Sequence, residues 1–243
     1  HYGITTVSLA STVNSLYNLK KLVFEDKKYS LIELNNMRKN NFKDNEYVLN
    51  ELKLNKIHFG IDDEEIINLT NDIIKYLEES FSNYNNSLEG KIKFGLSAPS
   101  YIDAGKSIKA SFDGRKDFEP FSTHISSDGD DYTEIMRFAS KIEYNGCKFN
   151  GNVVDLMVSP SFISDNFDKF VDFIMLSVKL GFFQMQMNVV DSETLIKAKE
   201  NPELYPNLIV RVWGFSAYFK ELPLEYQELL INRALKNEGK LAI

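Results

Sequence analysis

The run Leu208-Ile-Val-Arg-Val-Trp-Gly-Phe-Ser-Ala-Tyr-Phe219 carries the residues best suited to chemistry. Its β-branched residues predict a strand ending in Arg211-Val212-Trp213. Gly214 follows, with no charge cluster and no phosphate-type glycine pattern around it. On spacing alone Gly214 is a turn glycine at positive φ. Asp113 and Arg115 are placed for an internal ion pair or for a substrate clamp, because a guanidinium grips a carboxylate through two parallel bonds. Ser97 and Tyr101 flank a turn built on Pro99. Asp128-Gly-Asp-Asp131 groups acids as a calcium loop does but lacks the remaining ligand spacing, so it reads as a solvated turn. Cys147 has no second cysteine for an internal disulfide, and a free cysteine ordinarily packs as a small hydrophobe. His1, His58 and His124 lie far apart without ligand spacing, so no metal site is expected within the chain, and His124 reads as a structural histidine.

The elements that must position these residues follow from apolar periodicity and capping. Residues 5–25 read as a helix through Val7, Ala10, Val13, Leu16, Tyr17 and Leu19. Ser30 with Glu33 forms a capping box for a helix over Leu31–Lys39. Asn40 to Lys56 reads as a polar stretch weakly anchored by Leu49, Leu52 and Leu54. Asp62-Asp-Glu-Glu opens a helix with the stripe Ile66, Ile67, Ile73, Ile74 and Leu77. From Lys91 to about Asp131 the chain is punctuated by Gly, Ser, Pro and Asp and reads as irregular, a length that is uncommon unless functional. A short helix over Tyr132–Lys141, a strand over Val153–Val158, an amphipathic helix over Asp165–Leu180 and a strand over Phe182–Val190 follow. Asp191 caps a helix over Ser192–Glu200, Leu208–Val212 is a strand, and Leu224–Lys236 closes as a helix. Residues 1–90 thus form a helical segment, and 91–243 hold the strands and the Gly214 run.

The chain has 243 residues, 43% hydrophobic and 13% aromatic, ample for a packed core. Its net charge is −7, with no cluster of Lys and Arg, which disfavours nucleic acid as a partner. No apolar run reaches the roughly 18 residues of a membrane span, and no signal peptide opens the sequence. The lone cysteine fits a reducing cytoplasm. The opening His1-Tyr-Gly-Ile-Thr-Thr-Val reads as the middle of a folded domain, cut open, with something N-terminal missing or supplied by another chain.

The motif Arg211-Val-Trp-Gly-Phe-Ser216 resembles the signature of glycyl radical enzymes, Arg-Val-x-Gly-(Tyr/Phe)-(Ser/Ala). That family includes pyruvate formate-lyase, diol dehydratases, choline lyase, hydroxyproline dehydratase and arylacetate decarboxylases. The resemblance runs through nearly the whole chain. Gly181 to Asp191 is similar to the family strand that leads toward the radical loop. Thr194 to Lys199 and Asn201-Pro-Glu-Leu-Tyr205 are similar to the helix and turn that follow. Asp113-Gly-Arg-Lys with Glu119-Pro, and the pair of helices within Gly3 to Leu34, occur in the family order. Gln184 stands where many members have His, and Trp213 where they have Ser or Ala, which points away from pyruvate formate-lyase itself toward another branch.

The resemblance implies an α/β fold, half of a ten-stranded barrel ringed by helices, with strands near 153–158, 182–190 and 208–212. It implies a radical on Gly214 within a loop of Arg211, Val212, Trp213, Phe215 and Ser216. A Cα radical between an amide and a carbonyl is most stable when planar, and a Cβ would crowd that plane. The aromatic flank Trp213, Phe215, Tyr218 and Phe219 suits either a dry radical site or plain core packing. No bound cofactor is implied: a radical S-adenosylmethionine activating enzyme installs the radical, and Gly214 then draws a hydrogen atom from a cysteine on an N-terminal partner. Cys147 does not match that cysteine's loop. Ser97 and Tyr101 fall where relatives place substrate-pocket residues, and the Asp113–Arg115 block, shared across members with different substrates, is expected to be structural. The implied function is a radical-bearing C-terminal subunit for lyase, dehydratase or decarboxylase chemistry on a small molecule. The alternatives are a stand-alone spare part for an oxygen-damaged enzyme and a radical-free structural relative.

Overall fold

The computed structural model describes residues 2–97, 100–123, 125–126, 131–144, 153–212 and 214–238. Trp213, His124, Cys147 and the acids 128–130 lie outside them. The chain divides into two units, residues 1–125 with 141–152, and residues 126–140 with 153–243.

In the first unit, strand β1 (Tyr2–Thr5) pairs in parallel with β2 (Ile92–Gly95), Tyr2 opposite Ile92. Helix α1 begins only at Leu9 and runs to Leu19, continuing as a π-helical turn over Lys20–Glu25. The expected helix over 5–25 is therefore shorter at its start, because the chain entering it is held in a sheet by a distant strand. Helix α2 (Leu31–Lys39) carries the anticipated capping box, the Ser30 hydroxyl accepting from the Glu33 N–H while the Glu33 carboxylate accepts from the Ser30 N–H. Helix α3 (Glu46–Lys53) arises within the supposedly polar stretch. Its Val48, Leu49 and Leu52 pack with Leu22, Leu34, Phe42 and Ala110 in one apolar cluster. Asp63 caps α4 (Glu64–Ser82), whose Ile66, Ile67 and Ile74 are buried, and Phe81 stacks on Phe94 of β2 at 5.6 Å between ring centroids. A short helix, α5 (Tyr101–Lys106), follows β2.

The chain passes between the units through the two-residue strand β3 (Ile125–Ser126). In the second unit Asp131 accepts from the Thr133 N–H at the start of α6 (Tyr132–Ser140), the one acid of the Asp128–Asp131 run that is described, and its role is a helix cap. Strand β4 (Val153–Val158) is buried along its whole length and pairs in parallel with β5 (Gln184–Val189). A crossover of α7 (Pro160–Asp165) and α8 (Phe167–Leu180) joins them, as parallel pairing requires. The amphipathic helix expected over 165–180 is α8, and α7 is an additional short helix ahead of it. Along α8, Phe173 is buried, whereas Phe167, Val171, Met175 and Val178, spaced at four, four and three residues, are exposed. Asp191 caps α9 (Ser192–Glu200), and Glu238 adds a second carboxylate at the same helix end, accepting from the N–H and hydroxyl of Ser192. Helix α10 (Leu224–Asn237) is tied to β4 by a buried ion pair, Arg233 Nη1 to Asp155 Oδ2 at 2.6 Å, and Arg233 also donates to the Asp155 carbonyl. No described helix is long and apolar enough to cross a membrane.

Candidate functional site

Strands β6 (Ile209–Val212) and β7 (Phe215–Tyr218) form an antiparallel hairpin, Val212 opposite Phe215 and Arg211 opposite Ser216. The strand expected over 208–212 therefore pairs with the aromatic stretch after the glycine, in a two-stranded sheet separate from β4 and β5. A tight hairpin connection favours a glycine at positive φ. Gly214 supplies it, at φ 92°. The glycine is exposed, and a Cβ built on it meets no atom within 4 Å.

The hairpin is rooted on one side. Val210 and Val212 are buried, and Phe219, just beyond β7, is fully buried, with its N–H donating to the Leu208 carbonyl at 2.8 Å. Phe215 and Tyr218 are half exposed. The described aromatic flank thus splits: Phe219 is core, while Phe215 and Tyr218 leave the tip open on this chain. Arg211, Val212, Gly214, Phe215 and Ser216 lie together on this hairpin.

Two buried amides grip this hairpin, and neither was singled out from the sequence. On β5, Asn188 donates through Nδ2 to the Arg211 carbonyl at 2.9 Å and accepts at Oδ1 from the Arg211 N–H at 2.7 Å. On α10, Gln227 Nε2 donates to the Phe219 and Leu222 carbonyls at 3.1 and 3.0 Å. The signal was present in β5, where Gln184, Gln186 and Asn188 alternate with Met185 and Met187. A polar residue at every second position marks one strand face, and burial of Gln186 and Asn188 shows that this face is covered.

The Asp113-Gly-Arg115 block is a different construction. Arg115 is buried, and its guanidinium donates to the carbonyls of Lys109, Glu119 (2.8 Å), Lys116 and Ile108 and to the Ser111 hydroxyl. It also lies over the Phe121 ring, 4.4 Å from the centroid. Burial pushes its pKa below the usual guanidinium value, yet that value starts so high that the group stays charged. Asp113 accepts from the Arg115 backbone N–H and the Ser111 hydroxyl. The block therefore shapes the loop over residues 108–121. Gly114, at φ 86°, packs against Lys53, whose backbone nitrogen would lie 2.9 Å from a Cβ there. Ser97 and Tyr101 are both buried in the first unit, and the Tyr101 carbonyl accepts from the Phe121 N–H. Among the described residues no group of three or more His, Cys, Asp and Glu is placed to hold a metal ion.

Comparison with known proteins adds two family models. The glycine radical model matches residues 119–220, and the pyruvate formate lyase-like model matches residues 1–101. The (2S)-3-sulfopropanediol dehydratase of Klebsiella oxytoca is 28% identical over 93% of this chain, which corresponds to 29% of that enzyme. The isethionate sulfite-lyase of Nitratidesulfovibrio vulgaris is 31% identical over 93% of the chain and 28% of its own length. Among solved structures, the glycerol-bound B12-independent glycerol dehydratase of Clostridium butyricum superimposes with a TM-score of 0.87 at 30% identity, covering 95% of this chain and 30% of that one. The chain thus spans about 30% of the length of the relatives it matches.

Proposed function

The chain belongs to the glycyl radical enzyme family, as its glycine-radical part, and from that premise we propose that it stores a radical on Gly214 and passes it to a cysteine on an N-terminal partner. The observation that carries the reading is the glycine radical match over the segment that holds Gly214. That glycine stands at an exposed hairpin tip inside the matched Arg211–Ser216 motif, and no neighbour forbids a side chain there. Packing does not explain a glycine at this position, and its φ of 92° accounts for one with or without a radical, as the equally open Gly181 at φ 70° illustrates. What the motif adds is chemical: a Cα radical is most stable when planar, and a Cβ would crowd that plane.

In this reading a radical S-adenosylmethionine activating enzyme takes one hydrogen atom from the Gly214 Cα. The Cα later takes a hydrogen atom from the partner's thiol, and the resulting sulfur-centred radical begins dehydratase, lyase or decarboxylase chemistry on a small molecule. Residues 1–90 act as helical scaffold, and 91–243 bring barrel strands and the radical hairpin, together half of a ten-stranded barrel. The parallel β4–β5 pair supplies two of its staves. Arg211, Val212, Trp213, Phe215 and Ser216 frame the radical, and Ser97 and Tyr101 border the substrate pocket. The exposed stripe Phe167, Val171, Met175 and Val178 on α8 supports a partner, because an apolar face of this kind favours association. The setting is the anaerobic cytoplasm.

Oxygen tests the assignment. It adds to a carbon radical, and the peroxyl product cleaves the backbone there. Activated protein exposed to air should release a C-terminal piece beginning near Phe215, 29 residues long if it runs from 215 to 243, as read by intact mass. Cleavage that does not depend on activation, or that maps to Gly181 or Gly151, would place the radical elsewhere.

A further inference from the structure

The hairpin that carries Gly214 is joined to the β4–β5 sheet through a side chain. In an antiparallel pair, residues alternate between positions that exchange N–H···O bonds across the strands and positions that do not. The two-residue loop makes Val212 and Phe215 the closing pair, and the Phe219 N–H bond to the Leu208 carbonyl continues the same set two steps further along. Arg211 falls between, so its N–H and C=O point away from β7. Both are taken by the one amide of Asn188. Asparagine presents a donor and an acceptor in the arrangement of a peptide unit, so Asn188 fills the place of a neighbouring strand residue. It is itself fixed, 4% exposed and opposite Met157 on the fully buried β4.

We propose that Asn188 is the positioning residue for Gly214: its amide sets the register and height of the hairpin against the rigid β4–β5 pair, and so places the glycine Cα relative to the group with which it exchanges a hydrogen atom. This rests on Gly214 being the radical site. The positioning requirement is severe for atom transfer, because misplacement by about 1 Å can cost roughly a hundredfold in rate. Asn188 touches no reacting atom. It acts through Arg211, three residues before the glycine.

The test uses Asn188→Ala and Asn188→Asp in the full chain. The aspartate keeps the size and the acceptor but loses the donor, setting a carboxylate oxygen against the Arg211 carbonyl. Hydrogen exchange should rise about tenfold or more over 209–218 in both variants, the size expected when buried hydrogen bonds of ordinary strength are lost. Exchange over 153–158 and 192–200 should not change. In the complex with the cysteine-bearing part, electron paramagnetic resonance should count as many spins per chain as in the unaltered protein, while turnover per spin falls at least tenfold. Unchanged exchange in the hairpin, a uniform rise across the whole unit, or unchanged turnover per spin would each overturn the proposal. Absence of a radical in the unaltered, activated complex would instead sink the radical reading and the positioning of a radical centre with it, while the exchange result separately decides whether Asn188 holds the hairpin.

Discussion

Gly114 and Gly214 have nearly the same backbone twist, φ 86° and 92°, in opposite surroundings. Gly114 is wedged against the Lys53 backbone in a loop organised by a buried arginine, so a Cβ has no room. Gly214 stands in open space at the tip of a hairpin held at its root. The first glycine is required by contact. The second is required by conformation, since side chains rarely adopt its φ. A glycine in a family-like segment is therefore not by itself a sign of reactivity: both lie in such segments, and contact accounts for one while backbone twist accounts for the other.

Substitution should sharpen that contrast. Gly114→Ala should cost about 4 kcal/mol, combining overpacking against backbone with left-handed strain, and urea denaturation would measure it. A loss under about 1 kcal/mol would mean that the Lys53 segment yields easily and that contact does not explain this glycine. Arg115→Met should come next, at about 3 kcal/mol, because the carbonyls it serves would lose a charged donor. Faster hydrogen exchange over 108–121 should accompany it. Gly214→Ala should cost only about 1–2 kcal/mol, from strain alone, yet abolish both the radical signal and turnover. An active Gly214→Ala complex would break the comparison outright. At the small end, Asp191→Ala should cost about 1 kcal/mol at neutral pH through loss of the α9 cap. Hydrogen bonding from the Thr194 side chain and backbone holds the Asp191 carboxyl below the usual carboxylate range. Its contribution is therefore complete above the unfolded value near 3.9 and fades as pH falls through the lower folded value. The stability gap between the two proteins should accordingly narrow below about pH 4, by chemical denaturation at a series of pH values.

What could be read from the sequence was local. The capping box at Ser30 and the cap at Asp191 need only near neighbours to form, and they stand where expected; the strand over Val153–Val158 also stands there, legible from its own apolar composition although it pairs with β5 about thirty residues on. Elements that depend on distant partners were misread. Thr5 was placed at the start of a helix because nothing nearby shows that Gly95 pairs with it. Helix α3 was overlooked because three buried residues among polar ones carry a weak period. The return strand β7 was hidden because Trp-Gly is not the usual Asn-Gly hairpin signal. At the site, the hairpin residues came from a motif, whereas Asn188 and Gln227 went unnoticed because an amide in a strand or helix reads as solvent-facing until burial shows otherwise.

The parallel pairing of β1 with β2 also bears on how the chain is made. Tyr2 meets Ile92 and Thr5 meets Gly95, so β1 waits on the ribosome for a segment about 90 residues behind it. At translation rates of about 5–20 residues per second that wait is on the order of ten seconds. Helices α1 to α4 have local contacts and can form in that interval, while β1 cannot, since non-local pairing bears the full entropy of closing the loop first. During that interval the helices stand beside an unpaired β1, and the emergence of residues 92–95 supplies its partner.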